Sequence, residues 1–147
     1  MKFVLCLAGL IGMIVIGQLP AEAKCVEPAL SLTASSAAPG ETMKVVGQLF
    51  KDGCHDVIIN GYVPPTLPAK NVRFFLVQGK RTEQIGTADA DKDFKISVTL
   101  TIPVNTELGE ATIFAEIPGY TKTRPVAFRV IAKGSEAPKE SAPAQNR

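Results

Sequence analysis

The chain has 147 residues, of which 16 are Lys or Arg and 14 are Asp or Glu, so its formal net charge is +2. This weak charge balance, with both signs scattered along the chain, argues against a protein that binds nucleic acid. The length fits one domain, and the absence of Trp removes the side chain that stacks best on bases and sugars.

The N-terminal segment, residues 1–23, has the features of a signal peptide. Lys2 supplies a positive start, and residues 3–16 form an almost unbroken apolar run. That run is shorter than the roughly 20 apolar residues of a membrane span, and Ala21-Glu22-Ala23 offers a small-x-small cleavage site. We therefore predict export to the periplasm or the extracellular space, without a stable membrane anchor after cleavage.

Two cysteines, Cys25 and Cys54, follow this segment. In an oxidising compartment two cysteines most simply form a disulfide bond. Such a bond would close a loop of about 30 residues and stabilise the fold by roughly 3.5 kcal/mol in a chain-entropy model. We predict this disulfide, and mass spectrometry on exported protein can test for free thiols.

Short apolar segments separated by turn residues continue along the chain and predict β-strands. The segment 42–50 places Met43, Val45 and Leu49 on one face. Strict alternation at Phe94, Ile96, Val98, Leu100 and Ile102 gives the clearest strand, because no helical period fits it. The remaining predicted strands are 29–33, 57–59, 71–78, 82–88, 111–117 and 126–132.

Seven or eight short strands within residues 24–132, with no long amphipathic helix, predict an all-β domain. The spacing of the turns favours an immunoglobulin-like Greek-key β-sandwich. Residues 133–147 contain no large apolar side chain, so we expect a disordered C-terminal tail.

Several motifs resemble those of bacterial extracellular Ig-like domains. They are Pro39-Gly40-Glu41-Thr42, Lys44-Val45-Val46-Gly47, the run from Ile85 to Phe94, Ile102-Pro103, and Leu108-Gly109-Glu110-Ala111-Thr112. The resemblance spans most of residues 30–131, with Lys92 in place of the usual glycine of the aspartate turn. It implies the sandwich fold and a role as spacer, adhesin module or binding platform.

Three aspartates, Asp89, Asp91 and Asp93, alternate like the first ligands of a calcium loop. The pattern then departs, because the sixth position is not Gly and the twelfth is Leu100 instead of Glu. A hairpin turn is the favoured interpretation, and weak calcium binding is the alternative.

The sequence Cys54-His55-Asp56 holds the single histidine of the chain. One histidine beside a predicted disulfide cysteine lacks the further ligands that a metal site needs. Copper or zinc binding at Cys25, Cys54 and His55 requires Cys54 to be reduced. No nucleophile motif or phosphate-binding loop is present, so we expect neither catalytic residues nor a cofactor.

Two predicted loops carry the candidate partner-binding residues. The first is rigidified by proline and contains Tyr62, Pro64 and Pro65, and the second contains Tyr120, Lys122 and Arg124. Proline fixes the shape of an exposed loop, and Tyr and Arg are frequent interface anchors. The alternative for the first loop is an edge connection that crosses between the sheets. A loop like the second occurs on many sandwiches by chance.

The sequence as a whole predicts a non-enzymatic binding or structural module that engages a protein or glycan of the cell envelope through its loops. One alternative is a chagasin-like protease inhibitor, on the basis of residues 109–113 and Arg124-Pro125. That family's aromatic residue is Val126 here, and its "N-P-T-T-G" loop is missing. A periplasmic copper or zinc carrier is the second alternative.

Overall fold

The structure, a computed structural model, describes residues 26–54, 61–62 and 64–135. These residues form nine strands and no helix. The strands are β1 (Ala29–Leu32), β2 (Ser36–Ala37), β3 (Thr42–Gln48), β4 (Val72–Gln78), β5 (Arg81–Ala88), β6 (Ile96–Thr101), β7 (Gly109–Ile117), β8 (Thr121–Lys122) and β9 (Val126–Val130).

The strands form two sheets. The smaller sheet has the antiparallel order β1-β3-β6. The larger has the order β2-β9-β7-β4-β5, with β8 paired to β7 and β2 parallel to β9. β1, β3 and β6 occupy the places of immunoglobulin strands A, B and E, while β9, β7, β4 and β5 occupy those of G, F, C and C′. This order confirms the predicted all-β, immunoglobulin-like sandwich.

The core lies between the two sheets because successive side chains of a strand point to opposite faces. In β4 the buried residues are Val72, Phe74 and Leu76, and the intervening ones are half-buried, as the alternation predicts. The largest fully buried side chains are Phe50, Phe74, Leu76, Ile102, Ile113, Val45, Val72 and Val130.

The end of β3 differs from the prediction at Leu49. Leu49 was predicted on the buried face, but it adopts a φ of 64° and is 37% exposed. Phe50 is fully buried in its place. Its ring occupies the space that the missing side chain of Gly47 leaves open. The left-handed residue therefore turns the chain so that the larger aromatic ring fills the core.

The start of β6 also differs from the prediction. Phe94 has a φ of 59° and lies outside the strand, which begins at Ile96. The Phe94 N–H donates to the Asp91 carbonyl at 3.0 Å, and the Phe94 carbonyl accepts from the Phe50 N–H at 3.0 Å. These bonds hold Phe94 in a turn, and sequence alternation does not reveal them.

Other boundaries moved by a few residues. β7 begins at Gly109, two residues before the predicted start, and β9 ends at Val130. The two-residue strands β2 and β8 were not predicted. The predicted signal peptide, the predicted strand 57–59 and residues 136–147 of the predicted tail lie outside the described residues. Within the described ranges no helix is long and apolar enough to span a membrane.

Candidate functional site

One end of the sandwich collects most of the long connections, and we call it the loop end: residues 26–28, 49–54, 61–62, 64–71, 89–95 and 118–120. The strand registers define it, because Arg73 at the start of β4 pairs with Glu116 near the end of β7. Likewise, Val72 pairs with Ala88 at the end of β5. In the smaller sheet, the end of β3 pairs with the starts of β1 and β6.

The loop end carries most of the exposed large apolar side chains of the described chain. Six such side chains are exposed, and Val26, Leu49, Tyr62 and Leu67 lie here. The other two, Val104 and Leu108, lie in the connection between β6 and β7 at the opposite end. Single exposed apolar residues are ordinary, but the presence of four at one end makes the loop end the candidate interaction surface.

Backbone hydrogen bonds fix the position of Leu67. The Asp52 N–H donates to the Leu67 carbonyl at 2.9 Å, and the Leu67 N–H donates to Asp52 Oδ1 at 3.0 Å. Nearby, the Ala69 N–H donates to the Phe50 carbonyl at 3.0 Å. Part of the proline-rich connection is thus anchored to the residues that follow β3. A partner that contacts Leu67 would meet a preorganised surface.

The predicted residues of the first loop have mixed exposure. Tyr62 is 60% exposed and Pro65 is exposed, whereas Pro64 is half-buried. The role of Tyr62, Pro64 and Pro65 in partner binding stays a prediction.

In the second loop, Tyr120 is half-buried and packs against the core. Its N–H donates to the Ile117 carbonyl at 3.1 Å and closes the turn between β7 and β8. Tyr120 thus packs partly against the core, and its role in partner binding stays a prediction.

Two cations, Lys122 and Arg124, border the loop end. Lys122 Nζ lies 3.5 Å from Glu116 Oε2. Arg124 Nε lies 3.3 Å from Glu27 Oε2, and its side chain is 90% exposed. The Arg124–Glu27 pair is exposed and therefore contributes little to stability, whereas in the other pair Lys122 is exposed and Glu116 is half-buried. Both cations are accessible to a partner beside the apolar side chains.

The aspartate turn is held by its own carboxylates. Asp89 Oδ1 accepts a hydrogen bond from the Asn71 N–H at 2.9 Å. Asp91 Oδ1 accepts from the N–H groups of Asp93 and Lys95, both at 2.9 Å. The Asn71 bond lowers the pKa of Asp89, and the Lys95 bond lowers that of Asp91. These bonds favour the hairpin-turn interpretation over a calcium loop.

The described residues contain no group of three potential metal ligands. Cys54 is half-buried in the segment that follows β3, while Cys25, His55 and Asp56 lie outside the described ranges. The Cys25–Cys54 disulfide and the copper or zinc site therefore remain predictions.

Residues 109–113, on which the inhibitor alternative relied, are not a loop. They form the first half of β7 and pair with β9 over the whole segment. Thr112 and Ile113 also pair with β4 on the other side. A segment whose backbone lies inside a sheet cannot insert into a protease cleft, so residues 109–113 no longer support this alternative, while Arg124-Pro125 lie in the connection between β8 and β9.

Sequence analysis missed a row of side chains on the outer face of the larger sheet. Phe75 of β4 stands directly opposite Phe114 of β7, and the rings stack with centroids 5.1 Å apart. Arg73 Cζ lies 6.0 Å from the centroid of Phe75, and Lys122 Nζ lies 5.5 Å from that of Phe114. We call Arg73, Phe75, Phe114 and Lys122 the aromatic row.

Glu116 joins the two ends of this row, because it forms ion pairs with both Arg73 and Lys122. Each ring already has the other ring and a cation as neighbours. Such contacts stabilise the sheet face and leave less ring surface for stacking on a sugar. In the sequence, β4 and β7 each carry a Phe at a position of the outward face. That the two rings meet depends on the register between β4 and β7.

The sequence matches no protein-family model and no curated protein. Among solved structures, it is similar to Spo0M, a sporulation control protein from Bacillus subtilis. The identity is 13% and the TM-score 0.38, over 74% of this chain and 49% of that one. It is also similar to the PKD domain of an M14-like peptidase from a Thermoplasmatales archaeon. Here the identity is 12% and the TM-score 0.32, over 72% of this chain and 92% of that one. The chain spans about half the length of the Spo0M structure.

Proposed function

We propose that this protein is an exported, non-enzymatic binding module of the bacterial extracellular Ig-like type that engages another protein through its loop end. The observation that carries the proposal is the set of exposed apolar side chains there, Val26, Leu49, Tyr62 and Leu67. Apolar and aromatic side chains at the centre of a contact, with cations at its border, are typical of protein interfaces.

A protein partner is favoured over a glycan by the kind of side chain exposed. Three of the four are aliphatic, and aliphatic groups bind by burial against another apolar surface. Sugars are instead held by flat aromatic faces and dense polar groups. On the outer sheet face, Phe75 and Phe114 stack on each other and lie near cations, which leaves less ring surface for a sugar.

The predicted export fits this role. Val26 directly follows Cys25 in the sequence, and Cys54 lies in the connection that follows β3, so the predicted disulfide would belong to the loop end. A bond there would restrain the connection that presents Tyr62 and Leu67, in a compartment that maintains disulfides.

Affinity capture with two matched leucine variants tests the proposal. The full chain is expressed with a C-terminal tag in its own cells and recovered from envelope and medium fractions. Leu67→Ser alters the loop end, whereas Leu108→Ser makes the same change at the opposite end, where the side chain is equally accessible. Burial of a leucine contributes about 1.5–3 kcal/mol, so Leu67→Ser should reduce recovery of the partner at least about tenfold.

The control variant Leu108→Ser should recover the partner as well as the wild type does. Thermal unfolding of both variants checks that the fold is intact. Equal recovery by all three proteins would contradict a site at the loop end. Retention on protease-treated envelope, lost after digestion of its glycans, would instead identify a glycan ligand.

A further inference from the structure

Among the strands that the structure describes, β6 lies at one edge of the smaller sheet. It pairs with β3 on one side, and no strand of the described chain pairs with it on the other. The Ile102 N–H donates to Glu41 and the Ile102 carbonyl accepts from Gly40, so the backbone of residue 102 faces β3. Because backbone direction alternates along an antiparallel strand, the N–H and C=O groups of Ser97, Thr99 and Thr101 point away from β3.

This edge lacks the features that usually prevent strands from pairing. Ser97, Thr99 and Thr101 have exposed side chains, and β6 contains no charged residue, no Pro and no register shift. β5, the neighbouring edge of the larger sheet, differs. It carries Arg81 and Glu83 and has an irregularity in its register with β4. Charges and bulges protect edges from association, so β5 is protected and β6 is not.

We propose that β6 pairs with β6 of a second copy of this chain, antiparallel about a two-fold axis at Thr99. In this register Thr99 opposes Thr99 of the other copy and Ser97 opposes Thr101, and each pair exchanges backbone hydrogen bonds. On the other face Val98 opposes Leu100, which continues the apolar layer. The two three-stranded sheets become one six-stranded sheet.

The exposed residues of β6 are complementary to those of a second β6, which favours another copy of this chain as the partner. Cross-strand Thr–Thr and Thr–Ser pairs are favourable, whereas a charged strand would oppose its own charge across the axis. The net charge of +2 gives only weak repulsion between copies. The edge of β6 and the loop end are different surfaces, so dimer formation does not depend on the proposed function.

Sedimentation equilibrium tests the pairing. The protein is used in the processed form that its own cells produce. The wild type should show a reversible monomer–dimer equilibrium. Thr99→Lys places two ammonium groups beside each other at the axis and should weaken the dimer at least about tenfold. Ser31→Lys, an exposed position on β1 of the same sheet, should leave the dimer unchanged.

Cysteine cross-linking gives a second readout that does not depend on stability. In a hydrogen-bonded antiparallel pair the Cα atoms lie about 5.5 Å apart, which a short bifunctional maleimide spans, whereas the Cβ atoms are farther apart than a disulfide prefers. With this reagent Thr99→Cys should form a covalent dimer, and Ser31→Cys should not. A wild type that stays monomeric at all concentrations would overturn the proposal. A dimer unaffected by Thr99→Lys would also overturn it.

Discussion

Gly47 is required by its neighbour in the core. A Cβ at position 47 would overlap the ring of Phe50, which is fully buried, and would lie 3.1 Å from the carbonyl oxygen of Ala29. Neither group can move freely, since one is a packed ring and the other is backbone. The glycine therefore allows the ring of Phe50 to fill the core.

We expect Gly47→Ala to lower the free energy of unfolding by about 1–3 kcal/mol, the usual cost of overpacking. Gly86→Ala is the matched control. There the added Cβ would meet only Leu100 Cδ2, at 2.5 Å, which is the end of a flexible side chain. Urea unfolding of both variants checks the difference, and a larger loss for Gly86→Ala would contradict this account of the β3 end.

Asp89 and Asp91 make the stability of the aspartate turn depend on pH. Both carboxyl groups have a folded pKa below the ordinary value of 3.8, chiefly because backbone N–H groups donate to the charged form. Their contribution is therefore complete above pH 3.8 and is lost as the pH falls through the folded pKa.

We expect Asp91→Ala to lower the urea midpoint at neutral pH. The difference from the wild type should shrink below pH 3.8, as the wild-type carboxylate becomes protonated. Urea titrations at a series of pH values measure this. A difference that stays constant down to the most acid pH would show that the charge of Asp91 does not hold the turn.

At the scale of elements, Thr123 joins β8 and β9 to β7. Its Oγ1 accepts a hydrogen bond from the Ala115 N–H at 2.9 Å, and its own N–H donates to the Ala115 carbonyl at 2.8 Å. Thr123 is only 5% exposed. β7 pairs with β9 up to Ile113 and with β8 from Glu116 onward. Thr123 bonds to the backbone of β7 between these two pairings.

Thr123→Val keeps the shape of the side chain but leaves the buried Ala115 N–H without its acceptor. We expect a loss of about 1–3 kcal/mol in the free energy of unfolding. Thr121→Val is the control, because Thr121 Oγ1 makes only a 3.4 Å contact with the Lys122 carbonyl. Equal effects of the two variants on urea unfolding would argue against this role of Thr123.

The sequence predicted the elements in which local pattern and tertiary packing agree. Alternation identified β4 and most of β6, because both strands bury one face. It failed at Leu49, where a left-handed backbone lets Phe50 enter the core, and at Phe94, whose carbonyl accepts from the distant Phe50 N–H. It also missed β2, whose two residues depend on parallel pairing with β9.

The candidate site was predicted only in part, for a similar reason. Proline content and Tyr62 marked the first loop in the sequence, and the structure shows that Tyr62 is exposed. The grouping of Val26, Leu49 and Leu67 at one end required the strand order. The stacking of Phe75 on Phe114 required the register between β4 and β7.

At the scale of the whole molecule, the sandwich separates two surfaces. The loop end presents Leu67 and Tyr62 to the proposed protein partner, and the edge of β6 is available to a second copy. At the other edge of the smaller sheet lies β1, and the chain passes from β1 to β2 in the larger sheet. An antiparallel dimer through β6 would carry its two loop ends at opposite ends of the joined sheet, so it could bind two partners.

Photo-cross-linking in the producing cells tests whether the loop end is the binding surface. A photoreactive phenylalanine analogue is placed at position 67 or, as the control, at position 108, and adducts are identified after irradiation. We predict a single protein adduct from position 67 and none from position 108. The same adducts from both positions, or an adduct from position 108 alone, would contradict the claim.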